Sequence, residues 1–175
     1  ELDYLTAIAA PDVSVVLRVA HAHVGGFGGI EAVARAKSEI VRGLAPGGAA
    51  VLNADDDRVA AMASLAERVV LFGESAHAAV RAEDLHVDSS GRASFSLTTA
   101  EGSAPVHLSL VGAHHVTNAL ASASVALELG VPLEEVAARV SEARPISAHR
   151  MHVVERPDGV TVIDDSYNAN PDSMR

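Results

Sequence analysis

The chain has 175 residues, which suits one ordinary domain or one domain with part of a neighbour. Its formal net charge of −10 argues against a nucleic-acid or anionic-membrane surface, and the lack of cysteine excludes disulfides and thiolate metal sites. No apolar run approaches the ~20 residues of a transmembrane helix, and no signal peptide opens the chain. We therefore expect no membrane insertion, no nucleic-acid partner and a cytoplasmic location.

The first half of the chain predicts a parallel sheet. Residues 1–5 already have the character of a helix, and strands and helices then alternate. The predicted elements are a strand at 13–19, a helix at about 30–44, a strand at 49–52, a helix carrying Val59, Met62 and Leu65, and a strand at 69–72. This alternation is typical of parallel strands joined by right-handed crossovers.

The second half predicts three short strands and then two helices. The strands, separated by glycine-containing turns, form a small antiparallel excursion, and a linker at Pro145 precedes a hairpin. The predicted strands are 80–87, 93–99 and 106–110, the helices begin near Val116 and Pro132, and the hairpin joins 151–155 to 160–163. The predicted fold class is α/β, a mostly parallel sheet flanked by helices, with one domain at 1–145 and the start of another at 146–175.

Lys37 is the only lysine in a chain that otherwise uses arginine for positive charge. It falls on an apolar stripe of helical period formed by Ile30, Val33, Ile40, Val41 and Leu44. Burial of a lysine favours the neutral amine, a nucleophile that arginine cannot supply. The alternative is a lysine that extends its charged end to water and has no chemical role.

Two further places carry polar residues that the fold alone does not require. His23 lies in a glycine-rich loop after the first strand, where open α/β sheets bind ligands, although a loop histidine is often simply exposed. His115 and Asn118 are three residues apart and share one face of a helix's first turn. The amide of Asn118 suits either a nucleobase edge or a backbone cap.

The end of the chain supplies two more candidates. Arg150 follows the Pro145 linker, and a strand ends in the paired carboxylates of Asp164 and Asp165. These carboxylates suit ribose hydroxyls, a metal ion or a helix cap, whereas the later Asn168 and Asn170 also suit tight turns.

Four stretches together resemble the Mur ligase family, the ATP-dependent amide-forming enzymes of peptidoglycan precursor synthesis. They are AHVGGFG at 22–28 with ARAKSEI at 34–40, VLNADD at 51–56, LVGAHHVTNAL at 110–120, and IDDSYNANPDSM at 163–174. The YNANP run is the most specific, and it is similar to the members that add D-alanyl-D-alanine to a UDP-N-acetylmuramoyl-tripeptide. The resemblance implies the P-loop-like central domain of these enzymes followed by the start of a Rossmann-like C-terminal domain.

The resemblance also implies substrates and site residues. A peptide carboxylate would attack the γ-phosphate of ATP, and the amine of D-alanyl-D-alanine would then displace phosphate from the acyl phosphate. Lys37 matches a lysine that becomes carbamylated and, with His23, binds Mg²⁺. His115, where asparagine is usual, and Asn118 match positions beside adenine. The remaining matches lie near the phosphates and ribose: Arg150, Asp165, Tyr167, Asn168 and Asn170.

The resemblance covers the later part of the central ATPase domain, and the Gly-x-x-x-x-Gly-Lys-Ser/Thr phosphate loop is missing because the one lysine lies elsewhere. We therefore expect this chain alone to catalyse nothing, and ATP-dependent phosphate release by the purified chain would contradict that. Two alternatives stay open. One is a non-catalytic binding module of the same fold, and the other is a different ligase, such as an earlier Mur ligase or a folate polyglutamylating enzyme.

Overall fold

The computed structural model describes residues 2–20, 29–144 and 152–167. The helices are α1 (Leu2–Ala9), α2 (Ile30–Arg42), α3 (Asp57–Ala60), α4 (His114–Glu128) and α5 (Leu133–Glu142), with a 3₁₀ helix at Ala61–Leu65. The strands are β1 (Val13–Val16), β2 (Ala49–Asn53), β3 (Arg68–Gly73), β4 (Val80–Val87), β5 (Arg92–Thr99), β6 (Gly102–Val111), β7 (His152–Glu155) and β8 (Thr161–Asp164). Within these ranges no helix is both long and apolar enough to cross a membrane.

The predicted α/β class is confirmed. One six-stranded sheet runs in the order β1-β2-β3-β4-β5-β6, and β7 and β8 form a separate antiparallel pair. Strands β1 to β4 pair in parallel, and β4 to β6 pair antiparallel. The antiparallel excursion therefore continues the main sheet. The predicted boundary at residue 145 lies outside the described residues.

Apolar side chains fill both faces of this sheet. Val51 and Leu52, neighbours on β2, point to opposite faces, as successive residues of a strand must. Val51 belongs to the same buried cluster as Leu120 of α4 on one face, and Leu52 belongs to the same buried cluster as Val41 of α2 on the other. Burying a side chain of this size contributes about 1.5–3 kcal/mol. Helices therefore cover both faces of the parallel part of the sheet.

Two predicted strands differ from the structure in their bounds by more than one residue at an end. The first was expected to reach Val19 but ends at Val16, because its parallel ladder with β2 stops at the pair Val16–Leu52. The strand expected at 106–110 runs from Gly102 to Val111 and includes Pro105. A proline is tolerated there because β6 is the last strand of the sheet and needs partners on only one side.

The helix predicted after Asp57 also differs from the structure. Only Asp57–Ala60 is α-helical, and Ala61–Leu65 continues as a 3₁₀ helix. The side chains of Val59 and Met62 are both buried in the cluster beneath α2. Two short tight turns place these two residues inward without one regular helix.

Candidate active site

The carboxyl end of β1 leads into the segment Leu17–Val19, where the backbone is held by side chains. The Nδ2 group of Asn53 donates to the carbonyl of Leu17 at 2.9 Å. The Oδ2 atom of Asp56 accepts from the backbone N–H of Val19 at 2.8 Å. These bonds begin where the β1–β2 ladder ends, so they extend the order of the sheet beyond its last backbone pair.

Lys37 approaches the same segment from α2. Its Nζ donates a hydrogen bond to the carbonyl oxygen of Arg18, and the residue is half-buried. Val33 and Val41, which flank it on the predicted stripe, are buried at 7% and 1% exposure. The predicted apolar stripe is thus confirmed, and the amine at its edge is directed toward the end of β1.

The structure does not give the distance between Lys37 and His23, and only their order along the chain relates the two residues. His23 belongs to residues 21–28, which lie outside the described residues. Arg18, the partner of Lys37, belongs to the segment that leads directly into that loop. Pairing of Lys37 with His23 stays a prediction.

On the other face of the sheet, α4 places Asn118 beside the same end of β1. Asn118 is exposed and lines an open pocket of about 320 Å³ together with Val15 and Leu17. Three residues of α4 complete the wall: Ala121, Ser122 and Val125. The end of β1 thus has Lys37 on one side and Asn118 on the other.

His115 lies in the first turn of α4, half-buried, with its ring centroid 4.2 Å from that of His114. Burial, and secondly the neighbouring His114, lower the pKa of His115 below its ordinary value. The lowered pKa favours the neutral imidazole, which has one donor and one acceptor nitrogen. Unlike Asn118, His115 does not line the pocket.

The predicted residues near the C-terminal end are only partly described. Asp165 and Tyr167 follow β8, and Tyr167 is 61% exposed. The adjacent Asp164 accepts hydrogen bonds from the backbone and hydroxyl of Ser166 at 3.2 and 2.7 Å, which forms a turn. These residues belong to the separate two-stranded sheet, so the structure does not join them to the end of β1. Three other predicted site residues lie outside the described residues: Arg150, Asn168 and Asn170.

By sequence, Asn53 to Asp57 form a mostly polar segment that suits turn and N-cap chemistry, and four of its residues belong to the VLNADD stretch. The cap is confirmed, because Oδ1 of Asp56 accepts from the backbone N–H groups of Arg58 and Val59. The bonds from Asn53 and Asp56 to the Leu17–Val19 segment were missed. The available signal was the position of these polar residues at the carboxyl end of a fully buried strand.

The described residues contain no group of three or more His, Cys, Asp or Glu side chains able to hold a metal ion. The predicted Mg²⁺ ligands are of another kind, namely a modified Lys37 together with His23. The magnesium site therefore stays a prediction.

Comparison with known proteins identifies the family. The profile of the Mur ligase middle domain matches residues 1–126. The UDP-N-acetylmuramoyl-tripeptide–D-alanyl-D-alanine ligase of Mycobacterium tuberculosis (strain ATCC 25618 / H37Rv) is 50% identical over 172 residues, which are 98% of this chain and 34% of that protein. The Escherichia coli (strain K12) protein of the same name is 33% identical over 177 residues, with coverage of 99% and 39%.

Solved structures agree. A crystal structure of MurF from Acinetobacter baumannii superposes with a TM-score of 0.91 at 37% identity, over 99% of this chain and 38% of that one. MurF ligase from Thermotoga maritima in complex with ADP gives a TM-score of 0.83 at 26% identity, with coverage of 99% and 39%.

The fold and the matching profile define a member of the Mur ligase family, and the chain belongs to that family. Within it, residues 1–126 match the middle domain. The chain spans 34% of the length of the Mycobacterium tuberculosis relative.

Proposed function

We propose that this chain is the central part of an ATP-dependent ligase that joins D-alanyl-D-alanine to a UDP-N-acetylmuramoyl-tripeptide. Family membership and the names of its relatives support the reaction class. The single structural observation that carries the proposal is the orientation of Lys37, whose amine reaches the backbone at the carboxyl end of β1. In an open α/β sheet this edge is where ligands bind.

Carbamylation of Lys37 is part of this proposal. Lys37 is half-buried, and Val33 and Val41, four residues before and after it on α2, are buried. A carbamate nitrogen keeps one hydrogen, so the bond to the carbonyl of Arg18 can persist after modification. Carbamate oxygens are hard ligands of the kind that Mg²⁺ prefers, and Lys37 together with His23 would hold the ion. Bound there, Mg²⁺ would neutralise phosphate charge during transfer.

The pocket beside Asn118 is the proposed adenine site. Its walls are mostly aliphatic, which suits the face of a purine ring, and the Asn118 amide offers both donor and acceptor to a base edge. ADP in the Thermotoga maritima relative supports nucleotide use by this chain. His115 would lie near the base, and Arg150 and Asp165 would act at the phosphates and ribose. Tyr167, Asn168 and Asn170 would lie nearby.

A cytoplasmic location belongs to the same proposal. The protein would act mainly by positioning two reactants and by compensating charge on the transferred phosphoryl group. Apart from the addition of carbon dioxide to Lys37, no described residue needs to form a covalent bond in this scheme.

The test is substrate-dependent phosphate release by the full-length ligase. We expect release to require ATP, UDP-N-acetylmuramoyl-tripeptide and D-alanyl-D-alanine together. Replacement of the dipeptide by glutamate or a diamino acid should abolish it. Turnover with one of those amino acids but none with the dipeptide would instead identify another ligase of the family, and no turnover with any acceptor would favour a non-catalytic module.

A further inference from the structure

We infer that Asp56 is a positioning residue for Lys37, acting through the peptide bond between Arg18 and Val19, and that Asn53 supports it. The inference rests on the proposed function and adds to it two residues with no assigned role. Its basis is the set of hydrogen bonds that surrounds the Leu17–Val19 segment.

One peptide unit connects Asp56 to Lys37. The carbonyl of Arg18 and the N–H of Val19 belong to the same planar peptide, and in a trans peptide these two groups point in opposite directions. Asp56 accepts from the N–H at 2.8 Å, and Lys37 donates to the carbonyl on the opposite side. Fixing the N–H therefore fixes the direction of the carbonyl that receives the lysine.

The preceding peptide is fixed in the same way. The carbonyl of Leu17 accepts from Nδ2 of Asn53 at 2.9 Å, and Oδ1 of Asn53 accepts from the N–H of Asp55 at 2.9 Å. Asn53 is only 7% exposed, so both ends of its amide are satisfied inside the protein. Two consecutive peptides beyond the end of β1 are thus held without any backbone ladder.

Helix capping alone does not explain Asp56. One oxygen, Oδ1, already serves both N–H groups at the start of α3, those of Arg58 and Val59. The second oxygen spans 37 positions of sequence to reach Val19. A serine or asparagine caps a helix about as well as aspartate, so the cap does not require a carboxylate.

The matched experiment compares Asp56→Asn with Asp57→Asn in the full-length ligase. Each variant removes one negative charge from the same turn, and Asp57 is exposed without a bond to the segment. In Asp56→Asn an amide can keep the cap, but its NH₂ group then faces the N–H of Val19. Two readouts are needed: steady-state kinetics, and the ¹³C NMR signal of the lysine carbamate after equilibration with ¹³C-bicarbonate.

We expect Asp56→Asn to lower kcat about 10- to 100-fold, the usual effect of losing a partner that orients a metal ligand. The KM for ATP should stay near the wild-type value, and the carbamate signal should weaken and recover as bicarbonate is raised. Asp57→Asn should match the wild type in kcat, in the KM for ATP and in the carbamate signal. If Asp56→Asn does not fold, Asp56→Ser, which keeps the cap, is measured in the same way.

Equal kcat and equal carbamate signal in the Asp56 and Asp57 variants would overturn the inference. Failure of the proposed function looks different. In that case the wild type shows no turnover with D-alanyl-D-alanine, while the carbamate signal still separates the two variants. A wild type that turns over but shows no carbamate signal would overturn this inference and the carbamylation of Lys37, while the proposed ligase reaction would stand.

Discussion

The Nζ atom of Lys37 on α2 donates a hydrogen bond to the backbone carbonyl of Arg18 just beyond β1. This bond places the one lysine of the chain at the edge of the sheet where parallel strands end and ligands bind. Asn118 lies beside the same strand end from the opposite face, through the pocket that it shares with Leu17. Lys37, predicted for phosphate chemistry, and Asn118, predicted for adenine binding, are 81 positions apart in sequence. In the fold they lie beside the same strand end, on opposite faces of the sheet.

Asn118→Ala should weaken ATP binding by the full-length ligase. Loss of one hydrogen bond to a base corresponds to roughly 0.5–1.5 kcal/mol, or about a 2- to 12-fold rise in the KM for ATP, with little change in kcat. Thr117→Ala is the control, because the neighbouring Thr117 does not line the pocket. An unchanged KM in Asn118→Ala would remove the pocket from the nucleotide site.

His115 makes folding stability depend on pH. Because its pKa is lowered in the folded protein, the unfolded chain binds its proton more readily. The contribution of His115 is therefore fully present above the unfolded pKa of about 6.5. It is lost as pH falls from there through the lower folded-state pKa.

Urea unfolding between pH 5 and 8 checks this expectation. The decline in stability below about pH 6.5 should be smaller in His115→Asn than in the wild type. His114→Asn should give an intermediate result, since it removes the secondary cause of the shift and leaves burial in place. If the wild type and His115→Asn show the same dependence of stability on pH, the lowered pKa of His115 is contradicted.

Ser14→Ala should raise the free energy of unfolding. Ser14 is 1% exposed within β1, and its hydroxyl has no hydrogen-bond partner among the described residues. Removing an unsatisfied buried hydroxyl is expected to stabilise the protein by about 1 kcal/mol. Ser124→Ala should gain less, because there the substitution also removes a bond of 2.8 Å to the carbonyl of Leu120. Calorimetric midpoints of both variants measure the difference, and a large loss in Ser14→Ala would mean that its hydroxyl is paired.

The sheet could be predicted from the sequence because its signals are local. The strand predicted at 80–87 has the same bounds as β4, and the apolar stripe of α2 is buried as its period indicates. The region after Asp57 was harder, because its alanine-rich sequence favours a regular helix. A short helix followed by a 3₁₀ turn also buries Val59 and Met62. The spacing of apolar residues in the sequence does not distinguish this arrangement from one regular helix.

The site could be predicted only as a set of residues. Lys37 was found because it is unique and lies on an apolar stripe. Its partner was not found, because a backbone carbonyl is present at every residue and only the fold selects that of Arg18. The second contact of Asp56 was missed for the same reason, since a helix cap fully accounts for an aspartate at that position in sequence terms.

The central claim is that Lys37 works as a modified amine, and turnover by the Lys37→Arg variant of the full-length ligase tests it most directly. Arginine keeps the positive charge but cannot be carbamylated, so we expect turnover to fall by at least about 100-fold while the thermal midpoint is retained. Arg35→Lys, an exposed change on the same helix, should keep full activity. In Lys37→Ala, short-chain carboxylic acids should restore part of the rate. Wild-type turnover by Lys37→Arg would contradict the account.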